Sequence, residues 1–176
     1  MEYLDIVNEN NELIDVIKTR QYIHEHSLWH RHVSCWIINK KGEILLQKRS
    51  NQKKNNSGMW SKTGGHVIAG EYPIDAIKRE IKEELGIEVD NRNIKLIDIY
   101  KSDNKENKYF GYNFIIKVNY TIEEFVLQIE EVSEVKYVTI EEMMKIKKEN
   151  AKNYSFNKWK ENDFYKQMEI IKQYSI

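Results

Sequence analysis

Residues 65–87 read GHVIAGEYPIDAIKREIKEELGI, a glycine-containing loop running into a short helix crowded with carboxylates. Pro73 suits the first helical position and Gly86 the position just past the end, which predicts a helix of about three turns between them. Ile74, Ile77, Ile81 and Leu85 recur at helical spacing and form its buried stripe, while Glu80, Glu83 and Glu84 share one neighbouring flank. Like charges at that spacing repel, and acids near a helix C-terminus oppose its dipole. The cluster is therefore expected to face a cation. Carboxylate oxygens beside a loop carbonyl suit a hard divalent ion, Mg²⁺ with Mn²⁺ as the other candidate, and not zinc, which prefers nitrogen and sulfur. Magnesium in turn points to a phosphate-containing substrate.

The 176 residues around this stretch suit one domain spanning 1–176. Lysine plus arginine equals aspartate plus glutamate at 28 each, so no global basic field draws in nucleic acid or an anionic membrane, and any polyanion must be met locally. The opening MEYLDIVNENNEL has neither the basic start nor the apolar core of a signal peptide, and no apolar run approaches membrane-spanning length; a cytoplasmic location is expected. Cys35 is the only cysteine, which rules out an internal disulfide, and its place within VSCWII reads as a buried thiol.

Upstream, two short apolar runs around Asn8-Glu9-Asn10-Asn11 predict a hairpin within residues 1–18, and Thr19 can cap a helical stretch through His26. The segment YIHEHSLWHRH then supplies His24, His26, His30 and His32; their spacing is not a specific zinc pattern, and surface or packing histidines are the expectation. His32–Asn39 and Glu43–Arg49 read as antiparallel strands around a Lys40-Lys41-Gly42 turn, followed by a polar loop with Lys53 and Lys54. Downstream, Ile94–Lys101 and Tyr109–Val118 read as strands with 102–108 as their loop, and Glu134–Val138 as another. Thr139 and Glu142 form a capping box opening a helix over Ile140–Lys148, and the aromatic amphipathic pattern of Phe156–Tyr174 predicts a closing helix, interrupted or not. Strands on both sides of one acidic helix fit an α+β fold with a mixed sheet covered on both faces.

Gly65, Glu71, Arg79, Glu80, Ile81, Glu83, Glu84, Gly86 and Ile87 match G-x5-E-x7-R-E-U-x-E-E-x-G-U, where U is aliphatic, without a departure. The stretch resembles the Nudix box. That resemblance implies an α/β/α sandwich and a metal-dependent hydrolase that cleaves a phosphoanhydride bond in a nucleoside diphosphate derivative. Glu80 and Glu84, one turn apart, are the expected principal metal ligands with the Gly65 carbonyl. Glu83 is expected to bind a second metal or help activate water, and Arg79 to orient Glu71 or Glu83. Among the acids near the late strand, Glu131 is preferred over Glu130 and Glu134 as general base. Arg49, Lys53 and Lys54 are candidates for phosphate contacts. The expected partner is a small diphosphate-containing molecule, with no stable nucleic acid and no membrane, and the chain acting as a monomer or homodimer.

Beyond the box, LWHRHVSCWIINKKGEILLQKR, Gly64-Gly65-His66 and NYSFNKWK resemble type 1 isopentenyl diphosphate isomerase. His30 and His66 fall on that family's metal-binding histidines, with His24 or His26 as a third. Two departures argue against isomerase chemistry. Gly64 stands where the isomerase has a cysteine, and Glu106-Asn107-Lys108 stands where its strand brings paired metal-binding carboxylates. The intact box favours hydrolysis over an isomerase-like enzyme, and over a catalytically silent nucleotide-binding module.

Overall fold

The computed structural model describes residues 1–104 and 107–175. The chain opens with the expected hairpin, β1 (Tyr3–Val7) and β2 (Leu13–Thr19), paired antiparallel. Its turn is built by the Asn8 side chain, whose Oδ1 accepts from the backbone N–H groups of Asn10 at 2.9 Å and Glu12 at 3.0 Å. Thr19 then caps α1 (Arg20–Glu25), its hydroxyl accepting from the Tyr22 N–H at 3.2 Å.

Among the described residues, seven strands form one mixed sheet. At its centre β3 (His30–Ile38) runs parallel to β8 (Asn107–Lys117), which pairs antiparallel with β7 (Ile94–Asn104). On the other side, β4 (Ile44–Arg49) pairs antiparallel with β9 (Val132–Val138). The antiparallel pairing of β3 with β4 is confined to Ile37↔Leu45 and Ile38↔Ile44, because the strands splay beyond those rungs. A short segment is wedged into the gap: β5 (Trp60–Ser61) pairs with β4, and β6 (Thr63–His66) pairs with the first half of β3. Gly64 makes the wedge possible, since a Cβ there would lie 2.4 Å from the Val33 carbonyl oxygen.

The expected loop over 102–108 is corrected. β7 continues to Asn104 and β8 starts at Asn107, with Asn104 opposite Asn107, so the polar residues Ser102, Asp103 and Lys108 are strand residues. Pairing along a partner strand outweighs their weak strand propensity. Glu106 lies outside the described residues. The closing helix is interrupted, a 3-10 turn at Ser155–Lys158 preceding α4 (Glu161–Ser175).

Helices cover both faces of the sheet. α2 (Pro73–Leu85) starts with Pro73 and ends at Gly86, which takes the left-handed conformation (φ 70°). It buries Ile77, Ile81 and Leu85 completely against Val33, Cys35, Ile37 and Phe114, with Ile74 partly buried at the rim. Each such side chain contributes about 2 kcal/mol by leaving water. On the opposite face, Trp36, Ile38, Ile44 and Leu46 pack against Met143 of α3 (Ile140–Glu149) and Phe164, Met168 and Ile171 of α4. The expected capping box is present on α3, with the Thr139 hydroxyl accepting from the Glu142 N–H at 3.1 Å and the Glu142 carboxylate accepting from the Thr139 N–H at 2.7 Å. Among the described residues, no helix is long and apolar enough to cross a membrane.

Candidate active site

The apolar stripe of α2 fixes its rotation, and that rotation turns Glu80 and Glu84 toward the sheet while Glu83 stays half exposed. Glu84 is only 5% exposed. Its Oε2 accepts from Gln47 Nε2 at 2.8 Å, and Gln47 Oε1 in turn accepts from the Thr63 hydroxyl at 2.8 Å, so β4 and β6 together hold the carboxyl. Burial pushes Glu84 up to about 8, against the pull of the Gln47 hydrogen bond, and the nearby charges of Glu80 and Glu131 add to the rise. Glu80 lies under Gly65, where a Cβ would sit 2.2 Å from its Oε1 and 2.6 Å from its Oε2. Burial raises Glu80 as well, opposed by the Arg79 guanidinium.

Arg79 is the hub of this cluster. Its Nε and Nη2 donate to the two oxygens of Glu71 at 3.0 and 3.1 Å, a bidentate pair. Nη1 donates to Glu80 at 2.8 Å and to Glu83 at 3.2 Å, while Nη2 also donates to the His66 carbonyl at 2.9 Å. One guanidinium thus ties Glu80 and Glu83 of α2 to the loop entering it.

Glu131 precedes β9, and its backbone carbonyl accepts from the Ser50 N–H at 2.8 Å. Its carboxylate is bonded by Lys53 and lies 3.8 Å from Arg49 Nη1. Two of the three candidate phosphate contacts are therefore gathered on the candidate base, while Lys54 is exposed on the neighbouring loop. Glu134 instead pairs with Lys48 at 3.2 Å, and Glu130 is exposed.

The histidines divide. His26 fits the surface expectation, stacking on Tyr22 at 3.9 Å with its Nδ1 at 2.9 Å from the Tyr22 carbonyl. His24, His30 and His66 converge, with ligand atoms all within 4.8 Å of one another, so His24 and not His26 completes the trio. His32 sits beside them, its ring 5.5 Å from that of His66. His30 Nε2 and His32 Nδ1 are buried without a hydrogen-bond partner. Burial pulls His30 down to about 4 and His32 to about 3, and lowers His24 and His66 too, which keeps the imidazoles neutral at pH 7. His24 Nε2 and His66 Nε2 lie 3.2 Å apart in a hydrogen bond, and neutral imidazoles gathered in this way suit a borderline divalent metal. β8 places Tyr109 opposite His30, with Asn107 and Lys108 before it.

Cys35 is buried as expected, and burial raises its thiol. Sequence reasoning missed Gln47 and Thr63. Strand alternation through ILLQKR places Gln47 on the same face as Leu45, which was signal enough to ask what a buried amide holds there.

The profile of the NUDIX domain matches residues 28–160. The chain belongs to the Nudix family. A Nudix hydrolase of Listeria innocua is 34% identical over 144 residues, covering 81% of this chain and 83% of that protein. Nudix hydrolase 3 of Arabidopsis thaliana is 33% identical over 151 residues, which cover 80% of this chain but only 20% of the longer plant protein. Isopentenyl-diphosphate Delta-isomerases from several bacteria match shorter stretches, 38% to 51% of this chain. Among solved structures, DR0079 of Deinococcus radiodurans superposes with a TM-score of 0.69 at 23% identity, covering 82% of this chain and 87% of that one. Its fold is thus the α/β/α Nudix sandwich. Nudix hydrolases act on pyrophosphate bonds and generally use divalent metal ions, and this chain is an enzyme of that family.

Proposed function

We propose that this Nudix enzyme hydrolyses a phosphoanhydride bond in a nucleoside diphosphate derivative with Mg²⁺, or Mn²⁺, held by Glu80, Glu84 and the Gly65 carbonyl. The observation that carries the reading is the buried Glu84 carboxyl beside Glu80: among the described residues no cationic side chain bonds it, and burial lifts it to about 8. Two such acids beside loop backbone form a donor set for a hard divalent ion. When bound, that ion neutralises charge on the phosphate oxygens and lowers the pKa of a bound water.

The remaining work falls to side chains. Arg79 positions the acids, pairing bidentately with Glu71 and reaching Glu80 and Glu83. Glu83, the most exposed of the three acids, is available to a second ion or to water. Glu131 serves as base: substrate phosphates offer Arg49 and Lys53 a competing anion, which frees its carboxylate to take a proton from the attacking water. Oxygen from that water bonds to phosphorus as the bridging P–O bond breaks and the leaving phosphate departs. The unit that does this is the whole of 1–176 acting as one domain in the cytoplasm, as a monomer or homodimer.

The test is a panel of phosphoanhydrides with Mg²⁺ or Mn²⁺, reading released phosphate and pyrophosphate. Turnover of at least one nucleoside diphosphate derivative is expected, abolished in Glu83→Gln and Glu84→Gln. Full activity in both variants would remove the assignment. One observation favours a second reading, an isomerase-like enzyme: the trio His24, His30 and His66 can hold a metal. Gly64 in place of a cysteine speaks against it, and label exchange into an allylic diphosphate would decide for it.

A further inference from the structure

The sheet face opposite α2 is apolar at one end and polar at the other. α4 covers Trp36, Ile38 and Ile115. Beyond them one rung of the sheet reads Gly64, Ser34, Asn113 and Asp98 across β6, β3, β8 and β7. Lys62 belongs to this face by strand alternation with Gly64 and His66. It is only partly buried. Its Nζ donates to Asn113 Oδ1 at 2.6 Å and lies 5.0 Å from the centre of the Trp36 ring and 5.2 Å from that of Trp159.

What Lys62 lacks is a counter-ion. Among the described residues no carboxylate pairs with it. The acid at the end of its network, Asp98, is separated from it by two amides: Asn113 Nδ2 donates to Gln167 Oε1 at 2.6 Å, and Gln167 Nε2 donates to Asp98 Oδ2 at 3.1 Å. An ammonium has three donors, and among the described residues only one is used here. Burial accordingly pulls Lys62 down to about 7, with Asp98 opposing. A lysine sequestered among indoles with spare donors and no paired acid is costly unless something anionic arrives.

We propose that Lys62 is a substrate-binding residue, taking an oxyanion carried by the substrate away from the bond that is cleaved, with the Trp159 ring beside it. The adjacent residue, Thr63, faces the other way and reaches Glu84 through Gln47. β6 pairs only with β3 among the described residues, so a molecule passing its other edge meets the acids on one face and Lys62 on the other. The hydrolase reading is needed only for what carries the anion.

The anion site is tested without turnover, by following the indole N–H resonances of Trp36 and Trp159 during titration with inorganic phosphate in one arm and acetate in another. Saturable shifts are expected; a response to phosphate alone marks a phosphoryl group, and one to acetate alone a carboxylate. Lys62→Met is expected to weaken binding by about tenfold or more, the range of a charged hydrogen bond. Asn113→Asp is expected to do the same, because it gives the lysine an internal carboxylate while keeping it in place. Should Lys62→Met not fold, Asn113→Asp decides. Glu84→Gln, in which hydrolysis is lost, is expected to keep the wild-type response, which separates this site from the hydrolase assignment. Absence of saturable shifts in both arms of the wild type, or undiminished shifts in Asn113→Asp, would overturn the proposal.

Discussion

Adding one methyl group at Gly65 is expected to remove activity while sparing the fold. An ideal Cβ at Gly65 would lie 2.2, 2.3 and 2.6 Å from Oε1, Cδ and Oε2 of Glu80, whereas ordinary contact begins at 3.4 Å. The carboxylate must therefore retreat by about 1 Å or more. It is the free end of a flexible side chain, so it can move, and it then leaves Arg79 Nη1, now 2.8 Å away. Arg79 keeps Glu71, Glu83 and the His66 carbonyl, so Gly65→Ala should cost only about 1 kcal/mol of stability. A ligand misplaced by about 1 Å loses roughly a hundredfold in rate, about 2.7 kcal/mol of transition-state stabilisation. Gly64→Ala is the contrast, because its Cβ would meet the Val33 carbonyl oxygen at 2.4 Å and Ser34 Cα at 3.0 Å. Backbone cannot step aside, so β3 and β6 must part, at about 2 kcal/mol or more. The assay is kcat/KM for metal-dependent phosphate release beside urea unfolding of each variant. Near-wild-type activity in Gly65→Ala, or a loss that merely tracks its stability, would show that the position of Glu80 under Gly65 does not matter to turnover.

Arg79→Met leaves Glu71 and Glu80 unpaired, both only slightly exposed, and should destabilise the metal-free protein by about 2–3 kcal/mol in urea unfolding while lowering activity further than stability explains. Cys35 is fully buried, so a thiol reagent should label the native protein only at its unfolding rate; rapid labelling would contradict its place in the core. His30 titrates near 4 when folded and 6.5 when free, so the unfolded chain binds more protons between those values. The metal-free protein should therefore lose stability as pH falls from about 6.5 toward 4, by up to about 3 kcal/mol from this residue, and a flat urea profile over that range would contradict it.

The helix α2 was legible because its signals are local. Pro73, the isoleucine stripe and Gly86 set its limits and rotation, and the rotation places the acids. The capping box at Thr139 and the Asn8 turn were readable for the same reason, since each is closed by side chains within four residues. What escaped depends on distant partners. The splay of β3 from β4 follows from the wedge at residues 60–66, which no periodicity within either strand announces. Residues 102–104 are polar and become strand through their rungs with β8. In the site, Arg79 was readable as a brace, but its reach to the His66 carbonyl, the Gln47 and Thr63 support of Glu84, and the gathering of Arg49 and Lys53 on Glu131 are tertiary. The histidines show the same limit, for spacing along the chain could not tell His24 from His26.

On the proposed function, the acids of α2 sit together because a divalent ion completes them. Anomalous diffraction from crystals soaked in Mn²⁺ with a non-hydrolysable diphosphate analogue addresses it directly. A peak is expected bounded by the Glu80 and Glu84 carboxylates and the Gly65 carbonyl. Acids turned into bulk solvent with no peak beside them, or manganese confined to the trio of His24, His30 and His66, would contradict it.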